Sequence, residues 1–524
     1  MHDHAQLNLA DILVRSCRRT PDKDALVFGD RTWTYAQLTE AVESLAMEFA
    51  ARGLAHGGRV VVRGANSDLY IIAMFACFRL GAVHVPMNVG FKAGEAVDLI
   101  RRTAPSLILT DDAEFLVDLE RAYDEASGGW LNGTEVLALD QRLIYRGRGL
   151  ETARDLTART STRSNATFTP ARVERDDIAQ IIFTSGTTSK PKGAMMSHSA
   201  LSFHCASATI ALDHHADDRV LSALPLYHAG QMHSFTLPAL MAGATVVISE
   251  KPEPGRVFSL IEKHSINNFF APPTVWIALL NDSRQPEFDL SSMCKLQYGA
   301  SIMPAPVLAR LRATFEGVQF YNVFGQTEAG PTTTVLGPKG HDISPTSAGK
   351  AVTFVDVRIV DEDFNDVEVG DVGEIVYRSP QLFSGYLDDP EATLDAFVGE
   401  WFRSGDLGRQ DEHRFIHVVD RVKDVINTGG VLVSSREVEE HIYDLPGVAE
   451  VAAVAIADSK WVEAVAVAVV RHPDADFTAG DVIAHCKGGL AGFKAPKHVR
   501  FIDEMPKSAA GKILKRSLRD VMGD

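Results

Sequence analysis

The sequence predicts an α/β fold: a large N-terminal domain of two wound α/β lobes plus a β-rich subdomain, followed by a small, mobile C-terminal α+β domain. Three observations lead there. Short apolar strands alternate with helical patterns twice between residues 59 and 271. From about residue 347 the texture changes to short strands and turns. A chain of 524 residues is also too long for one hydrophobic core.

Residues 59–63, Arg-Val-Val-Val-Arg, read as a strand, 69–80 as a helix, 82–85 as a strand, 93–102 as a helix and 106–110 as a strand, which is βαβαβ alternation. Between 128 and 176 the sequence is polar and rich in Gly, Thr and Arg, and reads as irregular connection. Alternation resumes with a strand at 219–224, a helix at 232–241, a strand at 245–249, a helix at 256–264 and a strand at 267–271, the second lobe. Strands at 355–360, 373–377 and 414–419 make the β-rich subdomain. After Asp424 come a helix at 435–445, strands at 451–456 and 464–470, a helix at 479–487 and a basic end. The expected domains are therefore 1–422 and 423–524.

The apolar share of 45% and charged share of 23% are those of a globular protein that is not embedded in lipid. A net charge of −17 argues against a nucleic-acid partner, which would leave a basic footprint on the chain, although local basic spots are compatible with it. The cysteines at 17, 77, 205, 294 and 486 lack Cys-x-x-Cys spacing, so neither a disulfide frame nor a zinc knuckle is expected, and a reducing cytoplasm fits. The N-terminus shows no basic region followed by an apolar run, so no secretory signal is expected. The most lipophilic stretch, 69–87, is interrupted by Arg79, His84 and Pro86, which suits a buried helix running into a strand better than a membrane span. His2 and His4, and His214 and His215, lack a Glu-x-x-His context and read as solvated turn histidines.

Five segments carry chemistry. Residues 184–193, Thr-Ser-Gly-Thr-Thr-Ser-Lys-Pro-Lys-Gly, follow the apolar run 178–183, so a strand delivers hydroxyls, close-approach glycines and Lys190 or Lys192 to a polyphosphate. This is not the Walker pattern. Residues 320–328, Phe-Tyr-Asn-Val-Phe-Gly-Gln-Thr-Glu, offer aromatic faces for a base, the Asn322 amide for its edge, Thr327 for a phosphate oxygen and Glu328 for Mg²⁺. In isolation the same string also reads as a strand end with core aromatics. Residues 401–406 end in a Ser-Gly-Asp turn whose Asp406 can accept from two ribose hydroxyls, or simply shape a turn. Residues 420–424, Asp-Arg-Val-Lys-Asp, concentrate charge at the expected domain junction, and Gly429-Gly430 follow. Near the end, Gly511-Lys512 present a lysine on a thin turn, either a basic tail or a cation for anionic oxygens.

In this order the five segments resemble the adenylate-forming superfamily of acyl- and aryl-CoA synthetases, amino-acid adenylation domains and firefly luciferase, and most closely the AMP-forming acyl-CoA synthetases. The resemblance runs from about Thr34 to Lys515. It implies ATP and Mg²⁺, attack of a carboxylate on the α-phosphate to give an acyl-adenylate, then transfer to coenzyme A or a carrier-protein phosphopantetheine. By resemblance, Thr184, Ser185, Gly186, Thr187, Thr188 and Lys192 cradle phosphates, and Gly299, Ala300, Ser301, Asn322 and Phe324 surround adenine. Asp406 and Arg421 hold ribose, Thr327 touches the α-phosphate, and Glu328 with Thr184 serves the metal. Lys512 neutralises the transition state, Lys423 is the hinge, and Gly429 and Gly430 face the thiol step. Two departures stand out: Ser189 replaces a usual glycine, and Val431-Leu432 follow the double glycine where the family has Glu-Asn.

Residues 224–233, Leu-Pro-Leu-Tyr-His-Ala-Gly-Gln-Met-His, match the family's acid-pocket entrance, with His228 as gate. Amino-acid-activating relatives carry an Asp close by. None stands between Pro225 and Pro238, so an apolar or alicyclic acid is expected instead. Gln231, Met232, Tyr298, Gly325 and Thr332 are its expected wall residues, and Met232 and Tyr298 equally suit ordinary core packing. The expected function is an AMP-forming acyl-CoA ligase of a fatty, alicyclic or similar acid. The alternatives are an enzyme loading a carrier protein and a non-enzymatic acyl-adenylate sensor. Oligomeric state stays open between monomer and homodimer.

Overall fold

A computed structural model describes residues 8–127, 134–141, 144–145, 148–160, 169–184, 191–301, 303–428, 431–458, 461–508 and 513–523. Among them, the first lobe is a sheet ordered Gly385–Tyr386, Lys192–Ser197, Ile178–Thr184, Val83–Pro86, Arg59–Arg63, Leu107–Thr110, Glu135–Leu137. Neighbours from Ile178–Thr184 onward run parallel, and the first two strands are antiparallel additions. The second lobe is a sheet ordered Lys350–Ala351, Thr334–Leu336, Gln319–Phe324, Lys295–Gly299, Asn268–Ala271, Arg219–Ser222, Thr245–Ile248, Asp24–Phe28, Arg31–Thr34. Its central strands are parallel.

The helix Asp68–Arg79 is apolar on every side and buried along its whole length, as the lipophilic sequence requires of a helix sandwiched in protein. Its one basic residue is neutralised: Arg79 donates to Glu43 Oε1 at 2.6 Å. Among the described residues no helix is long and apolar enough to cross a membrane.

The β-rich part is an antiparallel sheet of Asp356–Val360, Gly373–Arg378, Trp401–Gln410, Phe397–Val398 and Ile416–Arg421. The next strand, Ile426–Thr428, already belongs to a separate sheet with Val431–Val433, Val448–Asp458, Val462–Arg471 and His498–Phe501. Helices Ser435–Tyr443, Ala479–Gly489 and Lys515–Gly523 complete this smaller α+β domain. Asp420 binds it to the preceding sheet, accepting from Ser435 N at 2.6 Å and Ser435 Oγ at 2.9 Å.

Three expectations need correction. The stretch 128–176 is not wholly irregular: Glu135–Leu137 adds a parallel edge strand and Ala153–Thr160 is a helix. Burial of Leu137, Ala153 and Leu156 at 2% exposure or less makes both elements tertiary products rather than propensity ones. The strands Asp24–Phe28 and Arg31–Thr34, which precede the recognised alternation, close the second sheet. The helix expected at 232–241 is a π-helical segment, Gly230–Thr236, followed by the α-helix Leu237–Ala242. Pro238 has no N–H for the carbonyl four residues back, and Leu237 N–H reaches instead to Met232 O, five residues back.

Among the described residues four histidines, His84, His198, His204 and His233, lie wholly inside. Burial holds His84 and His204 down at about 3 and His198 at about 4, against about 6.5 in an unfolded chain. Below that unfolded value the unfolded state binds more protons, so stability present at neutral pH is lost as pH falls. Thermal unfolding between pH 7 and 4 is expected to show midpoints dropping from about pH 6 downward, as the free energy of unfolding falls with a slope approaching about 1.4 kcal/mol per pH unit per histidine. A flat profile across that interval contradicts neutral burial.

Candidate active site

The candidate site forms where loops leave the carboxyl ends of parallel strands, the place where open α/β sheets bind ligands. In the first lobe Thr184 ends its strand directly opposite Lys192. Between them, Ser185, Gly186, Thr187 and Thr188 lie outside the described residues, as do Gly429, Gly430 and Lys512. In the second lobe Thr327 and Glu328 share a 3-10 turn, Thr327–Ala329, just beyond the strand Gln319–Phe324.

At this site one carboxylate joins the two lobes. Glu328 Oε1 accepts from Thr184 Oγ1 at 3.4 Å and from the Tyr386 hydroxyl at 3.1 Å. Lys192 Nζ stands 4.9 Å from the centre of the Tyr386 ring. Burial, then the Glu328 carboxylate, push the Tyr386 phenol well up, so it keeps its proton and acts as a donor. The turn is held from behind: Phe383 N donates to Glu328 O at 2.8 Å, and Gln381 Nε2 donates to Ala329 O at 2.8 Å and Thr332 O at 3.0 Å. Tyr386 and Gln381 are absent from the sequence reading. They come from a segment about 60 residues downstream of the turn, and the only local signal is that Gly385-Tyr386 opens a turn-flanked pair of strand formers.

The candidate adenine residues line adjacent strand ends. Gly299 faces Val323 across parallel strands, and an added Cβ would lie 2.1 Å from Val323 O, so only glycine fits. Ala300 follows at φ 64°, a left-handed conformation that costs an L residue energy and recurs at ligand sites. Ala300 and Ser301 are exposed, and Phe324 is half-buried. Asn322 Nδ2 gives one N–H to Ser347 O at 2.9 Å, leaving its oxygen and its second N–H able to address a base. Gly325 has φ 155° and no space for a side chain, Pro331 O being 2.6 Å from a built Cβ. Gly325→Ala is therefore expected to lower stability by about 1–3 kcal/mol and to depress activity by displacing the Thr327–Ala329 turn. A denaturant titration and a rate on one sample check it, and wild-type values for both contradict the crowding.

Asp406 and Arg421 are cross-strand partners, their Oδ1 and Nε 3.1 Å apart. Asp406 is only 4% exposed, and Gly405, at φ 71°, turns the chain before it. Glu374, another residue missed by sequence, clamps this turn by accepting from Gly405 N at 3.1 Å and Arg403 Nη2 at 2.6 Å. Lys423 is exposed just beyond.

At the candidate acid pocket His228 is exposed, with its Nδ1 accepting from Gly230 N at 3.3 Å. Gln231 is buried and spends its amide internally, on Leu224 N, Ser222 Oγ and Thr236 Oγ1 at 3.1–3.3 Å. Tyr298 is likewise tied inward, to His341 Nε2 at 3.0 Å. Met232 and Thr332 are fully buried, and Thr332 Oγ1 donates to Ser234 Oγ at 2.7 Å.

Residues 13–387 match the AMP-binding enzyme family, and residues 437–512 match the AMP-binding enzyme C-terminal domain. The chain belongs to the AMP-binding enzymes. As such it binds ATP and activates an acid by AMP-forming adenylation. This AMP-binding enzyme is 32% identical over 526 residues to the indoleacetate–CoA ligase of Aromatoleum aromaticum, covering 98% of each chain. It is 34% identical over 512 residues to a feruloyl-CoA synthase of an Amycolatopsis species, covering 97% of this chain and 98% of the other. Among solved structures it superposes on ATP-bound MatB from Rhodopseudomonas palustris with a TM-score of 0.88 at 28% identity, over 99% of both chains.

Proposed function

We propose that this enzyme is an AMP-forming acyl-CoA synthetase acting on an uncharged ring acid, aromatic or alicyclic, rather than on an amino acid. The observation that carries the reading is the convergence of Thr184 and Tyr386 on Glu328, with Lys192 over the Tyr386 ring, in a chain whose full-length relatives are named as CoA ligases of indoleacetate and ferulate. Coenzyme A is the acceptor in both names, which favours it over a carrier protein.

Glu328 and Thr184 put two oxygen donors 3.4 Å apart, a hard pair that suits Mg²⁺. Bound there, Mg²⁺ supplies charge neutralisation to phosphate oxygens. Thr327 and Lys192 bind phosphate, with Ser185, Gly186, Thr187 and Thr188 completing the loop. Asp406 accepts from the ribose hydroxyls while Arg421 holds its other oxygen in place. Gly299, Ala300, Ser301, Asn322 and Phe324 seat the base. His228 gates the acid, whose wall is drawn from Gln231, Met232, Tyr298, Gly325 and Thr332. Lys512 stabilises the charge that builds between carboxylate and α-phosphate. Lys423 is the hinge between domains 1–422 and 423–524, and its movement brings Gly429 and Gly430 toward the thiol. A coenzyme A thiol with an intrinsic pKa of about 8.5 needs no strong base. The five cysteines are unpaired, and we place the reaction in the reducing cytoplasm.

The test is a pyrophosphate-release screen of ring, fatty and amino acids, with mass detection of the product after adding coenzyme A or a holo-carrier protein. The reading expects AMP, pyrophosphate and an acyl-CoA from a ring acid. ADP with orthophosphate, or a thioester on the carrier protein alone, overturns it.

A further inference from the structure

Beside Met232 and Thr332, two of the expected acid-wall residues, lies a set of buried neutral side chains whose hydrogen bonds determine their own protonation. Gln180 Nε2 is 2.8 Å from His84 Nδ1 and 3.3 Å from Met232 Sδ, while Gln180 Oε1 is 2.6 Å from His233 Nε2. A thioether only accepts, so the amide nitrogen must face Met232 and His84. His233 then donates through Nε2 to the amide oxygen, and its Nδ1 is a bare acceptor. His84 accepts at Nδ1, and its Nε2 carries a proton. His204 Nε2 accepts from Thr332 N at 3.3 Å, so its Nδ1 carries a proton as well. The His204 and His233 ring centres are 6.1 Å apart.

These rings are fully buried, and His204 Nδ1, His233 Nδ1 and His84 Nε2 find no partner among the described side chains. Leaving such an atom unsatisfied in the interior is destabilising. Several of them gathered in one place point to a polar occupant. The same residues touch the expected pocket wall, since Met232 and His233 are consecutive, and Thr332 bonds both His204 and Ser234. Burial keeps His84, His204 and His233 uncharged at neutral pH. Among the described residues no Asp, Glu, Lys or Arg hydrogen-bonds to these rings, which makes the cluster a poor host for a second carboxylate or an ammonium.

Resting on the acid-activating reading above, we propose that His204 and His233 form a donor–acceptor pair that selects ring acids carrying an uncharged hydrogen-bonding group, a hydroxyl, carbonyl or ring N–H, at the end remote from the carboxylate. His204 Nδ1–H donates to the oxygen of such a group, and His233 Nδ1 accepts its O–H or N–H proton.

The experiment compares matched acids by ATP–pyrophosphate exchange: 3-phenylpropanoate against its 3- and 4-hydroxy forms, and 3-cyclohexylpropanoate against its 4-oxo form. Wild type is expected to favour the better polar member of a pair by at least about 10-fold in kcat/KM. His204→Leu and His233→Leu should shrink that ratio to below about threefold, and His204→Gln, which keeps a donor, should restore part of it. Because each ratio is taken within one sample, the folded fraction cancels. A ratio near one in wild type, or an unchanged ratio in both leucine variants, overturns the proposal while leaving adenylation standing. Silence with every acid overturns the acid-activating reading and this proposal together.

Discussion

Glu328→Gln is expected to lower ATP–pyrophosphate exchange by about 10²–10³-fold and to raise the Mg²⁺ concentration needed for half-maximal rate. The substitution keeps the shape of the side chain and an oxygen for the Tyr386 hydroxyl and Thr184, which reach Glu328 Oε1 at 3.1 and 3.4 Å. It removes the negative charge, the property a hard cation requires. The turn stays held by Phe383 N on Glu328 O, so the thermal midpoint should stay close to that of wild type. Exchange measured across a Mg²⁺ titration checks this, and an unaltered metal requirement would sink the metal assignment even if the rate fell.

Lys512→Ala is the second large effect. A cation that meets charge only as the carboxylate attacks phosphorus contributes to the transition state and little to ground-state binding. Adenylation should fall by about 10²–10³-fold with ATP binding nearly unchanged, while thioester formation from supplied acyl-adenylate retains most of its rate. Stopped assays of the two half-reactions, run side by side, read the difference. If both halves drop equally, Lys512 is not confined to one of two domain positions, and the hinge at Lys423 loses its support.

The alternation of the two lobes was legible because each element carries its own period: Arg59–Arg63 and Asp68–Arg79 were read to within a residue or two. Elements made by tertiary burial escaped, such as Glu135–Leu137, whose three residues pair with a strand almost 30 positions upstream. The π-helical Gly230–Thr236 escaped for a related reason: its winding depends on Pro238 together with partners such as Ser222 in a neighbouring strand. In the site, the residues read from sequence stand in short contiguous strings. Those missed, Tyr386, Gln381 and Glu374, act from other strands.

By itself the sequence determined the wound α/β lobes, the smaller terminal domain, and the segments that bear hydroxyls, carboxylates and lysines, since periodicity and turn chemistry reside in neighbouring residues. Only the tertiary structure decided that the Tyr386 phenol shares Glu328 with Thr184, that Asn322 gives one amide N–H to Ser347, and that His204 and His233 face inward as neutral rings. Those outcomes depend on burial and on partners as much as 144 positions apart, as Thr184 and Glu328 are. A hydrogen bond in a low-dielectric interior is set by whatever the fold brings beside it.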